Sequence, residues 1–331
     1  MALNRTLWRW LMLLGGAVVI GAVAWRLGVG PFVDGITRVN GPALLAAAVI
    51  TGLTTVCCAW RWRLVSRGLG TDLPLGVAIA AYYRSQFLNS VLPGGVIGDV
   101  DRGVGHGLEA GNLGLGLRAV AYERVGGQIV QTGLVVTVLA LVPSPLQSAA
   151  PTIAAVAVGI VVGAAIAFHA FSARGTSVWA RGIRASANEL RHGLLARAAW
   201  PGVVLASCAV TAGHTAIFLI AAQSAGITVP PIRMLPLAVL ILLAMSVPTN
   251  IAGWGPREGV AAWAFGAAGL GAGQGVTVAV VYGVLAFVAC LPGVAVLVLC
   301  WLRRRRGGVR PTGWVRDAQP TVADEGSEAR V

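Results

Sequence analysis

Apolar residues fall along this chain in long runs, and the polar ones gather between them. Runs over residues 10–25, 42–60, 113–142, 152–171, 200–222 and 276–302 each approach the length a helix needs to cross a bilayer. Two stretches break this pattern. The first, residues 81–111, starts like a helix, reaches Pro93, turns through Gly94 and Gly95, and leaves past Gly98 carrying Asp99, Asp101 and Arg102. The second, residues 235–271, is apolar up to Pro248 and then carries Gly253, Gly255, Arg257 and Glu258. Broken backbone at membrane depth is tolerated only where protein or a watery cavity satisfies it. A charge at the bilayer centre costs about 2.5–3.5 kcal/mol even on the forgiving insertion scale. These two stretches are therefore the first candidates for a site.

Charge assigns sides. Arg61, Arg63 and Arg67, the loop 172–197 with five arginines against Glu189, and Arg303–Arg306 read as cytoplasmic, because basic loops stay inside. The uncharged loop 143–151 reads as external. The chain then enters and leaves the first broken stretch on the cytoplasmic side, and the second on the outside. Each stretch is long enough for two half-helices or two short spans. The pattern predicts an all-α, polytopic membrane protein of six full spans plus two re-entrant helical hairpins, with both termini cytoplasmic. The hairpin tips are predicted at 93–98 and 248–256, pointing in from opposite faces. The order span, hairpin, span occurs twice in opposite directions, and a Ser-Val pair stands just before each proline-marked tip (Ser90-Val91, Ser246-Val247). Inverted repeats with paired broken helices point to a transporter site at the repeat interface. Residues 1–306 form the membrane domain, with the first run kept as a span. Residues 307–331 are polar, lack a core, and are predicted to be a disordered cytoplasmic tail.

Composition agrees with this reading. Of 331 residues 56% are hydrophobic and 11% charged, with a mean hydropathy of +0.78. The net charge of +13 comes entirely from arginine, set mostly in short loops beside apolar runs, so topology explains it and nucleic acid does not. The five cysteines lie in or at the ends of apolar runs with no CxxC or histidine spacing. Neither metal nor cofactor is expected.

At the broken stretches the chain resembles the lysylphosphatidylglycerol synthase transmembrane region, also described as flippase-like membrane proteins. Tyr83, Arg84 and Asn89, then Leu92-Pro93-Gly94-Gly95, Gly98-Asp99 and Arg102, carry the resemblance. Glu123-Arg124 resembles the family's acidic-Arg pair, and Pro248, Gly253, Gly255 and Glu258 its second motif, with Ala252 where a further glycine is expected. Family members with a soluble aminoacyl-transferase domain make lysyl lipid and move it across the membrane. Since only a short tail follows residue 306, the resemblance implies translocation without synthesis. The substrate expected is a phospholipid or a polyprenyl-linked lipid, in the plasma membrane.

Each charged group has two readings. Arg84, Asp99 and Arg102 would grip a phosphate headgroup, arginine's planar fork binding phosphate bidentately, or would form a self-satisfied ion network holding the hairpin. Asn89 belongs to the same motif. Glu123 and Arg124 read as a coupling or headgroup pair or as an interfacial ion pair, and Arg257 and Glu258 as their external counterpart. Asp99-Val100-Asp101 looks like a glycosyltransferase DxD, but that enzyme needs a large soluble domain. His214, alone in an apolar run, reads as a packing residue. The expectation is a non-enzymatic lipid translocator; the alternative is a non-transporting subunit or anchor of a cell-envelope biosynthesis enzyme. Protein partners stay open between a second copy of the chain and such an enzyme.

Overall fold

A computed structural model describes residues 21–92, 95–143, 155, 159, 199–246 and 255–306. Apart from a helical stretch at 21–27, ten helices make up most of this set, and no strand occurs among the described residues. In chain order they are α1 (Gly30–Thr37), α2 (Gly41–Gly68), α3 (Leu75–Val91), α4 (Ile97–Glu109) and α5 (Leu113–Leu141). After the undescribed segment follow α6 (Trp200–Ser224), α7 (Pro231–Ala244), α8 (Pro256–Ala267), α9 (Ala272–Ala289) and α10 (Pro292–Arg306).

Local chemistry sets the boundaries. Asn40 caps α2, its side chain accepting from the Ala43 N–H at 2.9 Å, and Asn112 caps α5 in the same way from Leu115 at 3.1 Å. Proline sits in the first turn of α1, α2, α6, α7 and α8, where a missing N–H costs nothing. Three helices and the α9–α10 unit are long and apolar enough to span a membrane: 41–68, 113–141, 200–224 and 272–302. The other two expected spans, 10–25 and 152–171, lie outside the described residues save for 21–25, 155 and 159, as do the loop 172–197 and the tail.

Three boundaries differ from expectation. The second span does not end at Trp60 in a basic loop. It runs on through Arg61, Trp62 and Arg63 to Gly68, because no glycine or proline interrupts it before that point. The last span is broken between α9 and α10, where Pro292 cannot continue the hydrogen-bond ladder. Residues 30–37, which carry no long apolar run, form the short helix α1, which packs on α9.

Each broken stretch is a pair of helices in mutual contact, α3 with α4 and α7 with α8. The second helix of each pair lies along the span that follows: α4 on α5, and α8 on α9. Spans α2 and α6 pack along each other and join the two halves. Gly103 and Gly107 lie on the buried face of α4 that meets α5. At Gly116 of α5 the two backbones come so close that a Cβ would collide with Gly103 and Gly107. The largest apolar core gathers Ile217, Phe218, Ile241, Phe265 and Tyr282 of the second half. A smaller cluster around Trp62, Tyr82 and Ala119 lines the first.

Candidate functional site

The chain break between α3 and α4 is made by Gly95, whose φ of +60° a residue with a Cβ adopts only with strain. Gly255 does the same before α8, with φ +123°. Pro93, Gly94, Pro248 and Gly253 lie outside the described residues. Once turned, the chain enters α4, whose second residue, Gly98, donates its N–H to Asn89 Oδ1 at 2.8 Å, tying the break shut. Asp99 follows, at the third helical position, where a carboxylate is favoured by the helix dipole.

Around Asp99 the structure assembles a polar network drawn from five helices. Asp99 accepts from Ser85 at 3.2 Å, from Asn89 at 3.2 Å, and from Arg102 at 3.0 Å, and Arg124 approaches it at 2.7 Å. Arg102 donates onward to Glu123 Oε2 at 2.7 Å, and its guanidinium lies between the rings of Tyr82 and Trp62 at 4.3 and 4.7 Å. Glu123 Oε1 accepts from Tyr82 at 3.0 Å and from Arg61 Nε at 2.8 Å, with Arg61 Nη2 closer still. Arg61 in turn donates to Ser207 of α6 at 2.9 Å. Side chains from α2, α3, α4, α5 and α6 thus meet at one place.

Two features decide what this network does. Among the described residues Arg61, Arg102 and Arg124 face only Asp99 and Glu123, which leaves one positive charge in excess. That excess has one outlet. The Arg102 and Glu123 side chains are fully buried and Arg61 nearly so, whereas the Arg124 side chain is 49% exposed. Arg124 is also flanked on α5 by exposed Val125 and Ile129, so its cation stands on the apolar outer face of the bundle.

The structure therefore brings together Asn89, Asp99, Arg102, Glu123 and Arg124 from the residues singled out in the sequence. Arg84 stands apart, paired with Asp101 at 2.7 Å, and is not in contact with Asp99. Arg102, expected beside a headgroup, has no exposed surface and is held between two carboxylates. Sequence reasoning missed Arg61, Tyr82, Ser85 and Ser207. Arg61 reads as part of a basic loop in the sequence, and the unbroken helix-forming run after Trp60 is the signal that the helix continues through it.

A second, smaller cluster lies at α8. Arg257 and Glu258 form a buried pair, with Nε to Oε1 at 2.8 Å and side-chain exposures of 4% and 0%. Glu258 Oε2 also accepts the Gly255 N–H at 2.6 Å, capping the helix from within. The Arg257 guanidinium lies 5.7 Å from the Tyr282 ring, and Tyr282 Oη is 3.1 Å from His214 Nδ1 on α6. No trio of metal-ligating side chains occurs among the described residues.

Residues 10–306 match a family model described as the lysylphosphatidylglycerol synthase TM region. No curated protein and no solved structure matches the chain.

Proposed function

Because the chain belongs to the lysylphosphatidylglycerol synthase transmembrane-region family, we propose that it moves a lipid between leaflets, its headgroup phosphate engaged by the Arg124 side of the network. The lipid is a phospholipid or a polyprenyl-linked lipid, the membrane is the plasma membrane, and no covalent change is made. One observation carries the reading. A network with one uncompensated positive charge ends in a single half-exposed guanidinium on an apolar face. A lipid phosphate supplies the missing negative charge while its tails stay in hydrocarbon. Arginine offers it a bidentate fork, and Asp99, Arg102 and Glu123 hold Arg124 in position from behind. The paired broken helices lend the headgroup a polar path, as in transporters with discontinuous spans.

The test uses purified protein in vesicles with headgroup-labelled lipid. A charge-assisted hydrogen bond is worth about 1.5–3 kcal/mol, so Arg124→Gln should slow lipid movement roughly ten- to a hundredfold with the fold intact. Arg124→Lys, which keeps charge but loses the fork, should fall between. Wild-type movement no faster than in protein-free vesicles would favour the alternative, a non-transporting anchor for an envelope enzyme. Movement unchanged in Arg124→Gln would remove Arg124 from the path.

A further inference from the structure

Arg124 is the twelfth residue of the 29-residue span α5, about 17 Å along a helix about 43 Å long. Its half-exposed guanidinium therefore stands within the hydrocarbon depth of the bilayer and not at its surface. At that depth a charged headgroup has to find its counter-charge in protein. A phosphate finds Arg124. What an ammonium on the same headgroup would find is set by the acidic residues, and the whole sequence has only twelve.

Those near the site already have cations. Asp99 and Glu123 share three arginines, and Arg102, fully buried, still holds Nη1 without an acceptor among the described residues. Asp101 is the most open carboxylate of the first hairpin, but Arg84 stands 2.7 Å from it, so counting that balanced pair leaves the surplus at one. Asp72 is paired with Arg67, and Glu258 with Arg257 in the other half. Glu109 ends α4, ten residues and about 15 Å beyond Asp99 by helical rise. Asp34 belongs to α1, which packs on α9. Residues 93–94 and 247–254 include no acidic residue, and the remaining five fall in the loop and tail read as cytoplasmic. Among the described residues, then, Arg124 has beside it no carboxylate that is not already paired.

From this charge balance we infer that the Arg124 site selects a lipid headgroup of net negative charge without an amine, a phosphate ester whose other substituents are uncharged, and rejects zwitterionic headgroups, a reading that rests on the function proposed above. A headgroup with one net negative charge brings the surplus to zero. A zwitterion adds none and leaves the surplus in place. Its ammonium also leaves water beside guanidinium groups, which have no lone pair to accept from it. Specificity is a difference of two affinities, and here the repulsive element is the surplus itself. A soluble phosphate ester shares the anion chemistry, but exposed Val125 and Ile129 beside Arg124 suit a ligand with acyl tails.

The test compares phosphatidylglycerol with phosphatidylethanolamine, identical in their labelled acyl chains, on the full-length protein. In detergent, the purified protein should retain phosphatidylglycerol at least about tenfold better, and in phosphatidylcholine vesicles it should move it faster by a similar factor. Gln128→Glu, one turn from Arg124 on the same face of α5, adds a carboxylate and cancels the surplus. It should cut the preference below about threefold, and Arg124→Gln should do so by weakening phosphatidylglycerol alone. Equal retention of the two lipids by wild type overturns the inference, and so does a preference that both variants keep. If Gln128→Glu does not fold, Arg124→Gln decides. Glycerol 3-phosphate should not displace the lipid; displacement at equal concentration would assign the site to a soluble phosphate ester and overturn the lipid class. If the preference appears in retention but no lipid moves in vesicles, the reading of lipid movement falls and the headgroup selectivity stands.

Discussion

Replacing Glu123 by glutamine tests the first network where its charge is most confined. Glutamine keeps the shape and one carbonyl acceptor but removes the charge that faces both Arg61 and Arg102. Arg102 retains Asp99, whereas Arg61 is left with Ser207 and the Cys58 sulfur, and the local excess rises from one positive charge to two. Removing one partner of a buried pair costs about 3–5 kcal/mol, since the other charge stays buried and unpaired; the surviving Arg102–Asp99 contact argues for the lower end. The double variant Glu123→Gln with Arg61→Gln takes away the stranded cation and returns the excess to one. It should therefore be more stable than Glu123→Gln alone, with a coupling of about 2 kcal/mol between the two positions. The assay is denaturant unfolding in mixed micelles, read by tryptophan fluorescence, for wild type, both single variants and the double. If the double variant loses the sum of the two single losses, Arg61 and Glu123 are not a pair and the five-helix network is wrongly drawn.

Further outcomes follow from the same geometry. Gly116→Ala puts a methyl into the backbone of α4 and should cost about 1–3 kcal/mol, read by the same unfolding assay. Arg84→Gln breaks a pair with Asp101 whose carboxylate is 44% exposed and should cost less than about 1 kcal/mol, with expression yield as the check. In a cysteine-free background, Thr228→Cys, in the link between α6 and α7, should react with an impermeant reagent from outside, and Ala110→Cys, at the end of the first hairpin, only from the cytoplasm. Both reacting from one side would refute the opposed hairpins.

Much of the fold was legible because the bilayer enforces it. Apolar runs of sufficient length become spans, and Pro93 with its glycines could only be a break. The site was half legible. Asp99, Arg102, Glu123 and Arg124 declared themselves as charges in apolar surroundings. Arg61 did not, because an arginine at the end of an apolar run looks alike whether the helix stops or continues. Tyr82 and Ser207 carry no charge, so nothing in the sequence separates them from packing residues until α3 and α6 are placed beside Glu123 and Arg61. The break at Pro292 was masked by the high hydropathy on both sides of it. Which arginine faces outward could not be read either: Arg102 and Arg124 both follow a carboxylate at short spacing, and only the packing of α4 on α5 buries the first and leaves the second open.

Laid side by side, the two halves share a plan at the level of single residues. Asp99 and Glu258 each occupy the third position of the helix that follows a break, beside the dipole's positive end. In each half the preceding span contributes one cationic or titratable group, Arg61 on α2 and His214 on α6, and the following span a partner, Glu123 on α5 and Tyr282 on α9. In each half a guanidinium is bedded against a glycine of that following span: Arg61 on Gly127 and Arg257 on Gly283, where any Cβ would collide with it. The difference lies in the charge balance. The first half holds a surplus cation with an exposed end, whereas the second holds a closed pair, Arg257 with Glu258, and a neutral histidine–tyrosine contact where the first has an arginine and a glutamate. A surplus fixed charge attracts an anion at every pH; a closed pair does so only when something adds positive charge beside it. On the function proposed above, an anionic headgroup would therefore meet the surplus cation of the first half, whereas the closed pair of the second half offers it none.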